Sequence, residues 1–149
     1  MLRKQRFMAL HLIYNFTIDR QGIFMKKTSN KLVVLSIEFA VEILNMVKKL
    51  KTQQTLTIAN QISRAGTSIG ANIHEAQYAH GKADFIAKLQ IALKEANETS
   101  YWLLLLVKTN ILSFAEYDYF ENRCRELKIT LISSLNTVKR TIRDGAQEG

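Results

Sequence analysis

Not one proline occurs in the 149 residues of this chain, and only six glycines do. Turn-rich and all-β architectures draw heavily on both residues. A helix interior rejects them, at ~3 kcal/mol for proline and ~1 kcal/mol for glycine relative to alanine. A chain so poor in helix breakers is free to run in long helices, and a hydrophobic content of 47% supplies enough apolar side chain for one core. The expected fold class is therefore all-α, as an antiparallel up-down-up-down four-helix bundle occupying one domain.

The apolar periodicity places four helices, at about 31–51, 55–79, 82–110 and 114–143. Ser29 and Asn30 are N-cap residues ahead of the first. That helix carries Val33, Leu35, Ile37, Phe39, Val41, Ile43, Leu44, Met46 and Val47 around most of its circumference, and leaves only a narrow polar side at Glu38, Glu42, Asn45 and Lys49. One stripe would suffice inside a small bundle, so the surplus apolar surface predicts a contact with another subunit. The second helix is rich in small residues, with Gly66-x-x-x-Gly70 at a spacing that allows two backbones to approach closely. The third has its seam at Phe85, Leu89, Ala92, Ala96, Leu103 and Leu106, and the fourth at Tyr117, Phe120, Cys124, Leu127, Leu131, Ser134 and Val138. The loop from Asn110 to Ser113 offers the fourth helix a cap.

Residues 1–24 show no sustained period, and Met25-Lys26-Lys27 reads as the start of a protein. The leading segment is expected to be a poorly ordered arm or a mis-annotated start. Arg3, Lys4 and Arg6 precede a short apolar run, but His11 interrupts it, which argues against secretion. The longest apolar stretch elsewhere, Trp102 to Val107, falls far short of the roughly 20 residues that span a bilayer. A single cysteine, Cys124, permits neither an intrachain disulfide nor a cysteine zinc site, and fits a reducing, cytoplasmic compartment.

Chemistry-bearing patterns are sparse. No glutamate stands three residues before a histidine, as di-iron bundles require, and His74 and His80 belong to no cluster with metal-ligand spacing. Neither a phosphate-cradling glycine loop nor a nucleophile elbow is present. The expectation is a protein without catalytic residues, cofactor, metal or small-molecule substrate. What does stand out is a polar row, Arg64, Ser68, Asn72 and Glu75, on one face of the second helix. With Glu95 and Glu98 it offers Arg64 a counter-ion, and a buried bidentate pair there would set helix register.

Three segments carry a family resemblance: Gln61-x-x-Arg64-Ala65, the run Ser68-Ile69-Gly70-Ala71-Asn72-Ile73-His74-Glu75-Ala76, and the run from Asp84 to Trp102 containing Leu93-Lys94-Glu95-Ala96-Asn97-Glu98. Over about residues 30–142 the chain resembles the bacterial four-helix proteins encoded in intervening sequences of 23S rRNA genes, sometimes labelled S23 ribosomal protein. The chain departs from that pattern at three positions: many relatives have proline where Gly70 stands, and Ala-Glu-Gly where this chain has His74-Glu75-Ala76. The resemblance implies an antiparallel bundle assembled as a ring, typically a homopentamer, with no known catalytic activity. The family is also similar to the accessory variability protein of diversity-generating retroelements, a basic pentameric barrel that binds a reverse transcriptase and nucleic acid.

The net charge of +8 falls to +5 once the +3 of residues 1–24 is removed. A basic surface of this size favours polyanions. The expected partners are thus further copies of the chain and RNA or a nucleic-acid-processing protein, with Lys48, Lys49, Lys51, Arg123, Arg125 and Lys128 as phosphate contacts. The alternative is a protein-interaction adaptor whose positive charge serves solubility.

Overall fold

In the computed structural model, residues 30–50 and 55–145 are described. They form four helices, α1 (Lys31–Lys49), α2 (Leu56–Ala76), α3 (Lys82–Lys108) and α4 (Phe114–Gly145), with no strand among them. The fold class is all-α and the architecture a four-helix bundle. Residues 1–24, with the reading placed on them, lie outside the described residues.

Each helix packs on its neighbours in sequence, and α1 closes the bundle against α4, so that α1 and α3 are diagonal. Contacts run in opposite directions along neighbouring helices. Arg64 meets Glu98 while Glu75, further along α2, meets Lys88, earlier on α3. Gly66 lies against Ile43 and Gly70 against Ser36 of α1.

Local chemistry explains the ends. Asn30 caps α1, its Oδ1 accepting from the Leu32 amide at 3.0 Å. At the end of α3, Asn110 takes φ 57°, a left-handed conformation that asparagine tolerates better than most residues. The Ile111 amide then donates to Leu106 O and the Asn110 amide to Val107 O, the paired bonds of a Schellman turn. Ser113 opens α4 with a capping box: its amide and hydroxyl donate to Glu116 Oε2 at 3.0 and 2.7 Å, and the Glu116 amide returns a bond to Ser113 Oγ at 3.3 Å. α2 ends at Ala76, three residues short of the expected end. The amides of Gln77, Tyr78 and Ala79 bond three residues back, tightening the chain out of the α-helix, and the Asn30 side chain donates to Gln77 Oε1 at 3.2 Å.

The core takes Phe39, Ile43, Ile62, Ile69, Ile73, Leu89, Leu103, Leu106, Leu127 and Leu131, all essentially inaccessible, with Cys124 among them. The expected α3 seam is buried apart from the half-buried Phe85, whereas on α4 Leu135 is buried and Ser134 only partly so. Not all of α1's apolar surface is used. Ile37, Val41 and Leu44, spaced by four and three, are 46%, 42% and 42% exposed.

Candidate functional site

The polar row on α2 divides in two. Arg64 and Glu75 cross to α3: Arg64 Nη2 bonds Glu98 Oε1, Arg64 Nη1 lies 3.5 Å from Glu95 Oε2, and Glu75 Oε2 accepts from Lys88 Nζ at 2.5 Å. Ser68 and Asn72 instead pair locally, Asn72 Nδ2 donating to Ser68 O at 2.9 Å. Trp102 Nε1 donates to the same Glu98 oxygen at 3.2 Å, which fixes that carboxylate from the other side.

The buried bidentate pair expected here is corrected by the geometry. Arg64 is 53% exposed and divides its two nitrogens between Glu95 and Glu98. The reason is steric: the seam between α2 and its neighbours is filled by Ile62, Ala65, Gly66 and Ile69, which leaves Arg64 on the flank. Glu95 is the more enclosed partner, and its Oε2 is buried without a hydrogen bond. Among the described residues, its ion-pair partner is the Arg64 guanidinium. Exposed pairs of this kind contribute about 0–1 kcal/mol.

His74 is exposed and packs against Tyr78, ring centroids 5.6 Å apart, while Glu75 beside it is engaged with Lys88. Cys124 is buried, donates to Ala96 O at 3.2 Å and lies 3.5 Å from Ser100 Oγ. Burial pushes its thiol pKa up, the direction that suppresses thiolate chemistry. Among the described residues no group of three or more His, Cys, Asp or Glu side chains could hold a metal, and no helix is long and apolar enough to cross a membrane.

The six expected phosphate contacts fare unequally. Arg123 is enclosed by acids: Glu38 at 3.0 Å, Glu42 at 3.3 Å and Glu126 at 3.5 Å, with Tyr119 donating to Glu42 at 2.9 Å. Burial disfavours its charge, but Glu42 and Glu38 outweigh that and raise its pKa further. Lys128 donates to Ser100 Oγ at 2.8 Å and pairs with Glu121 at 3.3 Å. Both cations are occupied between helices. Lys48 makes one long bond to Asn45 at 3.4 Å, and Lys49 is exposed near Glu116. Arg125 is exposed with no ion-pair partner among the described residues, and Lys51 lies outside them.

The network of Glu38, Glu42, Tyr119 and Arg123 joining α1 to α4 was not anticipated from the sequence. Its available signal was two acids four residues apart on an otherwise apolar helix, a pattern that calls for a cation on the facing helix.

A sequence profile of the 23S rRNA-intervening sequence proteins matches residues 28–133. Among solved structures, the chain is similar to a protein of unknown function from the S23 ribosomal protein family of Bacteroides thetaiotaomicron, at 48% identity and a TM-score of 0.68. The match covers 70% of this chain and 97% of that one. No curated protein matches. On the length of the profile match and the identity to that structure, this chain belongs to the family of 23S rRNA-intervening sequence proteins.

Proposed function

We propose that this chain is a non-enzymatic scaffold that assembles into a closed ring through its outward apolar faces and holds RNA or a ribonucleoprotein on its remaining basic surface. The observation that carries the reading is the stripe of Ile37, Val41 and Leu44 on α1. The diagonal helix α3 has its own exposed apolar residues, Ile91, Tyr101 and Leu104. Two different apolar faces on opposite sides of one subunit suit a head-to-tail contact, which closes into a ring when the rotation permits. A five-membered ring is what the resemblance to pentameric relatives adds, and the free Cys124 thiol fits a cytoplasmic setting.

For RNA, the useful cations are the exposed Arg125, Lys48 and Lys49. Each phosphate contact to a single strand adds about −0.7 to the slope of log affinity against log salt. Titrating labelled total RNA at several salt concentrations should give a steep negative slope that Arg125→Glu makes shallower. Absent or salt-independent binding removes the RNA part of the proposal. The protein-adaptor reading is favoured by the enclosure of Arg123 and Lys128, which takes two cations out of the field available to phosphate. Capture of a protein partner that survives nuclease treatment would select it.

A further inference from the structure

Helix α4 carries two seams. The inward one is Cys124, Leu127, Leu131 and Leu135, all buried. About a third of a turn away, Arg125, Ile129, Ile132, Asn136, Lys139 and Arg143 recur at alternating intervals of four and three, the spacing of a coiled-coil contact face. All six are exposed, Ile129 by 62% and Ile132 by 45%. Isoleucine is β-branched and brings no propensity advantage to a solvent-facing helix position, so two of them at the centre of one row call for a contact outside the subunit. Half of the row lies beyond residue 133, where the family profile match ends.

The cations of this row are uncommitted. Among the described residues Arg125 and Lys139 have no ion-pair partner, and Arg143 reaches only the adjacent Asp144, at 3.7 Å. Lys128, at the edge of the row, is by contrast taken by Ser100 and Glu121. The face is therefore apolar in the middle, with a polar amide at Asn136 and positive charge towards both ends.

That order of charge selects the occupant. A second copy of the same face fits badly: an antiparallel pairing sets Arg125 opposite Arg143 and Ile129 opposite Lys139, and a parallel one sets like on like. The carboxylates beside the outward apolar faces of α1 and α3, Glu38, Glu42, Glu95 and Glu98, are already engaged by Arg123 and Arg64. Nucleic acid fits no better. From Arg125 to Lys139 the row runs about 21 Å without a cation, over which a strand would set about five phosphates on apolar and amide side chains. No aromatic residue stands in the row to stack a base. An amphipathic helix meets every position, its apolar stripe on the two isoleucines and its carboxylates on Arg125, Lys139 and Arg143, with Asn136 fixing the register.

We propose that the outward face of α4 docks an acidic amphipathic helix of a partner protein in coiled-coil fashion. The inference is independent of ring assembly and of RNA, and its test rests on Lys139 and Arg143 rather than on Arg125, which the RNA reading also uses. The probe is a fluorescein-labelled synthetic helix of three heptads, with leucine at both seam positions and glutamate flanking them, titrated with the full chain and read by anisotropy. Saturable binding is expected, weakened at least tenfold by Ile129→Ser with Ile132→Ser while the helical circular dichroism is kept. Lys139→Glu with Arg143→Glu should weaken it at least tenfold too, and a probe with lysine in place of glutamate should bind that variant at least tenfold better than it binds the native chain, a rescue that only a folded protein can show. No binding to the native chain, equal binding of a probe with the same residues in scrambled order, or absence of the rescue overturns the proposal. So does an oligouridylate or a phosphatidylserine vesicle that loses as much affinity in the isoleucine variant, which would give the face to phosphate.

Discussion

The two glycines of α2 should respond to the same substitution with opposite sign. Exchanging a helical glycine for alanine stabilises by about 1 kcal/mol through backbone entropy alone. At Gly70 the new methyl would sit 3.5 Å from Ser36 O and 3.6 Å from Ser36 Oγ, ordinary contact distances, so most of that gain should be realised. At Gly66 it would meet Ile43 Cγ2 at 3.0 Å, Cγ1 at 3.1 Å and Cβ at 3.4 Å. Ile43 is completely buried and β-branched, and cannot swing away without leaving its rotamer. Overpacking of this kind costs about 1–3 kcal/mol, enough to cancel the entropy gain and leave Gly66→Ala destabilised by about 1 kcal/mol. Urea denaturation followed by circular dichroism, at fixed protein concentration, measures both. A double-mutant cycle adds a test of cause. Ile43→Ala alone should cost about 2–5 kcal/mol and measurably less in the Gly66→Ala background, where the new methyl fills part of the hole. Stabilisation by Gly66→Ala equal to that by Gly70→Ala, or additivity in the cycle, would refute the close approach of α1 and α2 as the reason for glycine at 66.

Ser113→Ala should lower stability by about 1 kcal/mol in the same assay, because it breaks the box that caps α4. The Ser113 hydroxyl and amide hold the Glu116 pKa below the usual carboxylate value. A depressed folded pKa contributes stability above the unfolded value that is lost as pH falls through the folded one, so Glu116→Gln should flatten the acid limb of the stability curve and leave neutral pH little changed in slope. Arg123→Ala leaves Glu38 and Glu42 facing each other, partly buried and without their cation, and should cost about 1–3 kcal/mol; Arg123→Lys should recover only part, since one ammonium cannot reach three carboxylates as the guanidinium does. Cys124 should react with a thiol reagent at least a hundredfold more slowly in the folded protein than in urea, and a comparable rate would contradict its burial and raised pKa.

Much of this fold could be read from helical periodicity. The α3 seam from Leu89 to Leu106 and the α4 positions Cys124, Leu127 and Leu131 are buried where the spacing put them, because an apolar stripe on a long helix has few alternatives. The end of α2 was not legible. Gln77, Tyr78 and Ala79 carry no stop signal, and the bond that ties this turn to the start of α1 comes from Asn30, 47 residues away along the chain. Partner choice was equally hidden. Arg64 had three acids within range, and only the helix pairing selects Glu95 and Glu98 while Lys88 takes Glu75. Formal charge misled most at Arg123 and Lys128, since a count of cations says nothing of the carboxylates that three-dimensional packing brings to each.

Self-assembly through α1 is the claim on which the proposed function rests most heavily. Size exclusion with light scattering, on the native chain and on Val41→Glu, tests it directly. The account predicts a discrete ring mass for the native chain, and a fall to monomer or lower assemblies in the variant with its helical circular dichroism retained. A monomeric native chain, or a ring mass unaffected by a charge at Val41, would contradict it.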